Sequence, residues 1–443
     1  MSRRHTARIW IAGTVVASAL LAAAPASATR VHLDVDLAQP MLEAGADRTT
    51  YLKIGLTGFE LGTQLRTSVN VAIVLDRSGS MQGEKLERAK EAAIAAIDRL
   101  TAQDIVSVIA YDHQVRVLVP ATRVSDTEQM RAAIRSLEVG GNTALFAGVS
   151  KGAAEVRKFL DRHRVNRVIL LSDGLANVGP DSPSELGSLG LSFKKEGISV
   201  TTIGLGLGYH EDLMTRLAGA SDGNHAFVEH PRDLARIFDN EFGDVLSVVA
   251  QEVVVYIHCP PGVRPLRVLG RDAEIVGSTA VVTLNQLYAD QEKYVLLELE
   301  VPGGRRGERR PLADVEVTYA NMATKSSERV TGQASAFFTD QTELVRRAEN
   351  REVMVAVVEQ VATERNELAL ALRDQGKIEE AQRALLDNAS YIQQNAVDLD
   401  SESLSKLATE NVQQSEGLEG ADWERSRKQM RETQEKVKQQ RSW

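Results

Sequence analysis

Val69-Asn-Val-Ala-Ile-Val-Leu-Asp-Arg-Ser-Gly-Ser80 is the stretch whose reading decides the fold. Residues 69–75 are a near-continuous apolar run, as expected of a strand buried on both faces of a parallel sheet. Asp76, Ser78 and Ser80 follow at once, and residues 84–100 then place Leu86, Ala89, Ala93, Ile94, Ile97 and Leu100 at helical spacing. A polar turn between a buried strand and an amphipathic helix is where open α/β sheets carry their ligands.

The same rhythm continues along the chain. Strand-like runs recur at residues 105–111, 167–171 and 198–205, and helical patterns at 128–137, 145–160, 183–196, 210–218 and 231–242. This alternation predicts a doubly wound, mostly parallel α/β sheet over residues 69–245. Two more polar groups stand at strand ends or helix starts: Thr143, in Gly140-Gly-Asn-Thr143, and Asp173, followed by Gly174. Asp76, Ser78, Ser80, Thr143 and Asp173 together form a hard-oxygen set without sulfur or imidazole. That set suits Mg²⁺, with Mn²⁺ or Ca²⁺ as alternative occupants, and leaves a position for an incoming carboxylate. Glycines 79, 140, 141 and 174 allow close backbone approach there.

Asp76-x-Ser78-x-Ser80, Thr143 and Asp173 resemble the complete metal-ion-dependent adhesion site of the von Willebrand factor type A domain. Gln103-Asp-Ile-Val-Ser-Val-Ile109 and Thr201-Thr-Ile-Gly-Leu205 resemble that family's inner strands. The resemblance spans residues 69–245, about 40% of the chain, and extends to bacterial exported proteins that carry this domain. It implies that Ser78 and Ser80 ligate directly and that Thr143 does so in the ligand-bound state. Asp76 and Asp173 would act largely through waters, and an acidic residue of a protein partner would complete the coordination. Arg77, between Asp76 and Ser78, would add a positive charge beside the metal and so favour an acidic ligand further. A D-x-S-x-S match alone arises by chance in about one chain in ten of this length, so Thr143 and Asp173 carry much of the weight.

Other chemistry-bearing features read as structural. Gly204-Leu-Gly206-Leu-Gly208 lacks the spacing of a dinucleotide loop and reads as a strand-end turn. His225 and His230 have no cysteine pair to complete a zinc site. Asp112-His113 is accompanied by no Gly-x-Ser-x-Gly turn. Cys259, the single cysteine, reads as a packed thiol. No catalytic residue and no organic cofactor are expected.

Before the α/β region, residues 29–68 have strand patterning, and residues 246–340 return to it. Neither piece suffices alone, and joined they predict a β-sandwich into which the α/β domain is inserted, an arrangement that resembles integrin β chains. Residues 341–416 read as a helical hairpin region whose second helix is similar to that of a tetratricopeptide hairpin. It is expected to pack on the sandwich or to self-associate through these C-terminal helices, with a peptide-binding role as the alternative, since one hairpin is not a repeat array. Residues 417–443 are almost wholly polar and are expected to be a flexible tail.

Composition sets the outer limits. The 443 residues are 43% hydrophobic and 26% charged, which excludes wholesale disorder and a multi-span membrane protein. The formal charge of −9 argues against nucleic acid as a partner. Residues 1–28 read as a signal peptide: Arg3, Arg4 and Arg8, an apolar stretch over 9–24, then Ala26-Ser27-Ala28. Its removal takes the formal charge from −9 to −12, since no acidic residue leaves with it. A periplasmic or secreted location follows, with tethering by an uncleaved N-terminal segment as the alternative.

The functional expectation is an exported, non-enzymatic protein that binds a divalent cation and captures a partner through an acidic residue. A scaffold subunit of an envelope complex with a structural metal is the alternative. A metal-dependent hydrolase ranks below both, because the sequence offers no evident positioned base or second metal.

Overall fold

The computed structural model describes residues 29–61, 66–420 and 422–440. The signal-peptide reading of residues 1–28 lies outside the described residues.

Four apolar runs are strands buried at every position: Val69–Asp76, Ile105–Tyr111, Val165–Ser172 and Ile198–Leu205. They pair in parallel as the middle of a six-stranded sheet. Its order is Val115–Arg123, Ile105–Tyr111, Val69–Asp76, Val165–Ser172, Ile198–Leu205, His225–Val228. Val115–Arg123, which the apolar pattern does not single out, is an antiparallel edge strand. Its half-exposed face and Pro120 suit an edge, where a missing N–H costs little. Helices cover both faces. Glu84–Asp98, Thr127–Arg135 and Leu234–Leu246 bury one apolar cluster, and Leu145–Arg157, Pro183–Lys195 and Glu211–Ala220 bury the other.

The flanking β segments build two further sheets. His32–Leu37, Arg48–Thr57, Glu292–Val301 and Arg264–Leu269 form one. Glu274–Val276, Thr279–Tyr288, Val248–His258, Arg309–Asn321, Ser327–Thr339 and Met41–Glu43 form the other. Arg48–Thr57 pairs along its length with Glu292–Val301, so chain from before and after the α/β domain shares one sheet. Leu52, Ile54, Leu297 and Leu299 share one core with Val255, Ile257, Val315 and Val317. The α/β domain is thus inserted in a β-sandwich. Its ends meet where the Thr67 amide donates to the Leu246 carbonyl at 3.3 Å.

The two units are joined by polar side chains. Arg167, fully buried on a central strand, donates to Thr201 Oγ1 at 3.0 Å within its own domain. It also donates to Gln286 Oε1 at 2.5 Å and Tyr288 Oη at 3.0 Å on the sandwich.

The helical region departs from a simple hairpin. Its helices are Thr342–Arg347, Arg351–Asp374, Ile378–Asp398 and Glu402–Glu416. Asn350 divides the first from the second because its side chain accepts the Val353 amide at 3.3 Å, a helix N-cap. Val353, Ala356 and Val357 rest on Leu269 and Leu296 of the four-stranded sheet. The polar residues 417–443 are not a flexible tail where they are described. Trp423–Gln439 is a helix lying against the α/β domain, with Lys428 and Gln434 buried. It lacks an apolar stripe because ion pairs rather than hydrophobic contacts hold much of its inner face.

Candidate metal centre

The strand Val69–Asp76 delivers Asp76 fully buried at its carboxyl end. Asp76 Oδ1 accepts the Ser78 amide at 2.8 Å, which turns the chain sharply. Asp76 Oδ2 accepts the Ser172 hydroxyl at 2.7 Å, tying the turn to the adjacent strand end. Burial pushes the Asp76 carboxyl up, and these hydrogen bonds oppose that shift.

Ser78 Oγ lies 3.1 Å from Ser80 Oγ, and the Ser80 hydroxyl donates to Asp173 Oδ1 at 2.6 Å. Thr143 is held in place by Asn177: its amide donates to Asn177 Oδ1 at 2.8 Å, and the Asn177 amide returns to the Thr143 carbonyl at 3.1 Å. The loops interlock where the Gly79 amide donates to the Gly141 carbonyl at 2.9 Å. A side chain is excluded at Gly140, where a Cβ would stand 1.8 Å from Asp112 Oδ2.

Gly174 shows the convergence of the site. A Cβ there would stand 3.0 Å from Ser80 Oγ, 3.1 Å from Thr143 Oγ1 and 3.7 Å from Ser78 Oγ. Three hydroxyls from two loops therefore surround one small space, with the Asp173 carboxylate bonded to one of them. Asp76, Ser78, Thr143 and Asp173 are buried and Ser80 is exposed, so the cluster opens to solvent on one side. Hydroxyl and carboxylate oxygens around a space of this size fit a small hard cation. Among the described residues no group of three or more His, Cys, Asp or Glu could hold a metal. Any cation here therefore depends on the hydroxyls. Gly174→Ala is expected to crowd Ser80 and Thr143 and weaken Mn²⁺ binding at least tenfold in calorimetric titration, with an unchanged circular dichroism spectrum.

Arg77 does not present a spare positive charge. Its guanidinium donates to Asp112 Oδ2 at 2.7 Å and to the Glu138 carbonyl at 3.2 Å. Burial alone would raise the Asp112 carboxyl, but the Gln114 and Gly141 amides and Arg77 hold it below the usual range. This charge is spent on fixing the loops, which corrects the expectation that it would attract a ligand.

Two participants escape sequence reasoning. Asn177 has no motif, and Lys85, in the first turn of the helix Glu84–Asp98, pairs its ammonium with Asp173 Oδ2. The remaining candidates are structural. His225 is buried between Thr202 Oγ1 at 2.9 Å and Tyr209 Oη at 3.3 Å. Gly206, at φ +72°, forms the strand-end turn. Cys259 is buried, its thiol pushed up to about 11 by burial.

Residues 70–240 match the family model of the von Willebrand factor type A domain. The chain is 28% identical over 307 residues to protein sll0103 of Synechocystis, covering 67% of this chain and 72% of that one. It is 26% identical to YfbK of Escherichia coli over 48% of this chain and 38% of that one. Human inter-alpha-trypsin inhibitor heavy chain H3 is 34% identical over 26% of this chain and 14% of its own length. Among solved structures, a von Willebrand factor type A protein from Catenulispora acidiphila superposes with a TM-score of 0.69 at 18% identity, covering 86% of this chain and 91% of that one. The ArnB paralog VWA2 from Sulfolobus acidocaldarius does so with 0.64 at 16% identity, covering 92% and 98%. At these identities the likeness is one of fold. The inserted α/β unit is a von Willebrand factor type A domain.

Proposed function

We propose that this von Willebrand factor type A protein is an exported, non-enzymatic binding protein. Asp76, Ser78, Ser80, Thr143 and Asp173 would hold a divalent cation, Mg²⁺ in the first instance. A protein partner would be captured through an acidic side chain that completes the coordination. The convergence of three hydroxyls beside Gly174 and Asp173 carries this reading.

The surroundings of the site support a protein ligand. Loops next to the cluster each expose an apolar residue: Val139 precedes Gly140, Leu175 follows Gly174, and Leu207 lies in the Gly204–Gly208 turn. A rim of this kind suits a folded partner, which contributes apolar contacts around a single polar anchor. Export rests on the Arg-rich, then apolar, then small-residue order of residues 1–28. Among the described residues no helix is long and apolar enough to cross a membrane.

The test is capture from an envelope extract in Mg²⁺ and in EDTA, with calorimetric titration of the same preparations. Asp76→Ala and Asp173→Ala are each expected to lose cation binding and capture together. Capture that survives both substitutions overturns this reading. It would then favour the scaffold alternative, whose supporting observation is the exposure of Leu368, Leu386, Val397 and Val412 on the C-terminal helices. Titration of the unsubstituted protein with no binding of Mg²⁺ or Mn²⁺ removes the cation site itself.

A further inference from the structure

We propose that Lys85 is a built-in counter-ion of this centre, which a divalent cation must displace to bind. The inference rests on the cation reading of the site and deepens it.

Two carboxylates, Asp76 and Asp173, are buried within the cluster. Buried carboxylates of like charge repel each other strongly unless a cation compensates them. Arg77 cannot serve, because its guanidinium is bound to Asp112. Lys85 is the cation the structure places on the cluster, against Asp173 Oδ2, while Asp173 Oδ1 accepts the Ser80 hydroxyl. Both oxygens of Asp173 are thus engaged, one by a hydroxyl of the cluster and one by the ammonium.

The position of Lys85 argues separately that this contact is its purpose. It lies in the first turn of the helix Glu84–Asp98, whose N-cap, Gly83, offers no side-chain cap. The amino end of a helix carries partial positive charge, so a lysine there works against helix stability. Glu84 and Glu87 in the same turn follow the favourable pattern and Lys85 does not. Lys85 also has a route out. Its side chain is 31% exposed, so the ammonium can leave Asp173 toward solvent.

Charge arithmetic sets the direction. With Lys85 in place the two carboxylates and one ammonium leave one net negative charge. A divalent ion joining them would leave one surplus positive charge, and departure of the ammonium restores neutrality. The bound ion thus competes with Lys85 for Asp173, and the lysine lowers cation affinity while supporting the fold when no cation is bound.

The experiment titrates the full chain, Lys85→Met and Lys85→Arg with MnCl₂ and MgCl₂ by calorimetry, and melts each in EDTA. Lys85→Met is expected to bind Mn²⁺ about tenfold or more tightly than the unsubstituted protein, and to melt lower in EDTA. Lys85→Arg should stay close to the unsubstituted protein in both. In an Asp173→Asn background the EDTA effect of Lys85→Met should vanish, whereas a lysine serving the helix alone would show the same effect in both backgrounds. Equal or weaker Mn²⁺ binding by a folded Lys85→Met overturns the exchange and leaves the cation site standing. Absence of binding by every protein, Lys85→Met included, removes the site and the exchange together. Binding by Lys85→Met alone supports both.

Discussion

Arg167→Met is expected to destabilise the protein by about 3–5 kcal/mol, as removal of one partner from a buried ion pair generally does. Arg167 and Glu241 are both fully buried, with Nη1 3.3 Å from Glu241 Oε1. Arg167 stands on the central strand Val165–Ser172, Glu241 on the helix Leu234–Leu246, and Gln286 and Tyr288 on a sandwich strand. With Thr201 on the strand Ile198–Leu205, one guanidinium therefore fastens four elements and two domains. Its loss leaves Glu241 without that cation, with Asn224 Nδ2 at 2.8 Å and the Thr201 hydroxyl as its donors among the described residues. A methionine would fill much of the volume, so the cost lies in the stranded charge rather than in a cavity. Two arms check this by urea denaturation. Arg167→Met should lower the midpoint and split a single transition into two, because the sandwich contacts go as well. Adding Glu241→Gln should recover part of the loss by removing the unpaired charge. A midpoint unchanged in Arg167→Met would overturn the account.

How much of this was legible in the sequence follows from how far each contact reaches. The parallel sheet was legible because residues buried on both faces must be apolar throughout, as at 69–75 and 198–205. The cluster was legible because Asp76, Ser78, Ser80 and Asp173 occupy the carboxyl ends of adjacent strands, which topology brings side by side. Thr143, just ahead of a helix, is held against them by Asn177, and no pattern marked that asparagine. The commitment of Arg77 to Asp112 was equally hidden, because it depends on where a side chain turns rather than on where its residue lies. So was Lys85, an ordinary residue of a charged helix until its ammonium is placed on Asp173. Polarity misled most at the C-terminus. Residues 417–443 lack the apolar periodicity that marks a packed helix, yet Trp423–Gln439 packs through Arg427, Lys428 and Arg431. Burial by ion pair leaves no hydrophobic signature in sequence.

Lys428→Met should free that helix. Lys428 is the most deeply buried charge on it, donating to Glu211 Oε2 at 2.6 Å and the Tyr209 carbonyl at 3.0 Å. Arg427 pairs with Asp212 at 2.6 Å and Asp374 at 2.8 Å, and Arg431 with Asp212 at 2.8 Å. Without its ammonium, Glu211 stays buried beside Arg427 alone, and about 3–5 kcal/mol of docking is lost. Amide protection factors over residues 423–439 should then fall by two orders of magnitude or more, while those of the central sheet remain. The pH dependence has a definite sign. Burial alone would raise the Glu211 and Asp212 carboxyls, but Lys428, Arg427 and Arg431 hold both below their ordinary values of 4.5 and 3.8. Carboxyls depressed in the folded state contribute their stability above the unfolded pKa and lose it as pH falls through the folded one. Glu435 on the same helix acts the other way, its carboxyl pushed up to about 7 by burial, so its burial costs stability as pH rises from about 5 to 8. Protection of the helix should therefore rise as pH falls from 8 to about 5 and decline below about pH 4 in the unsubstituted protein. In Lys428→Met it should be low throughout. Protection that stays high in Lys428→Met would mean that Met430 and Trp423, packed against Leu370 and Leu385 of the neighbouring helices, hold the segment without the charges.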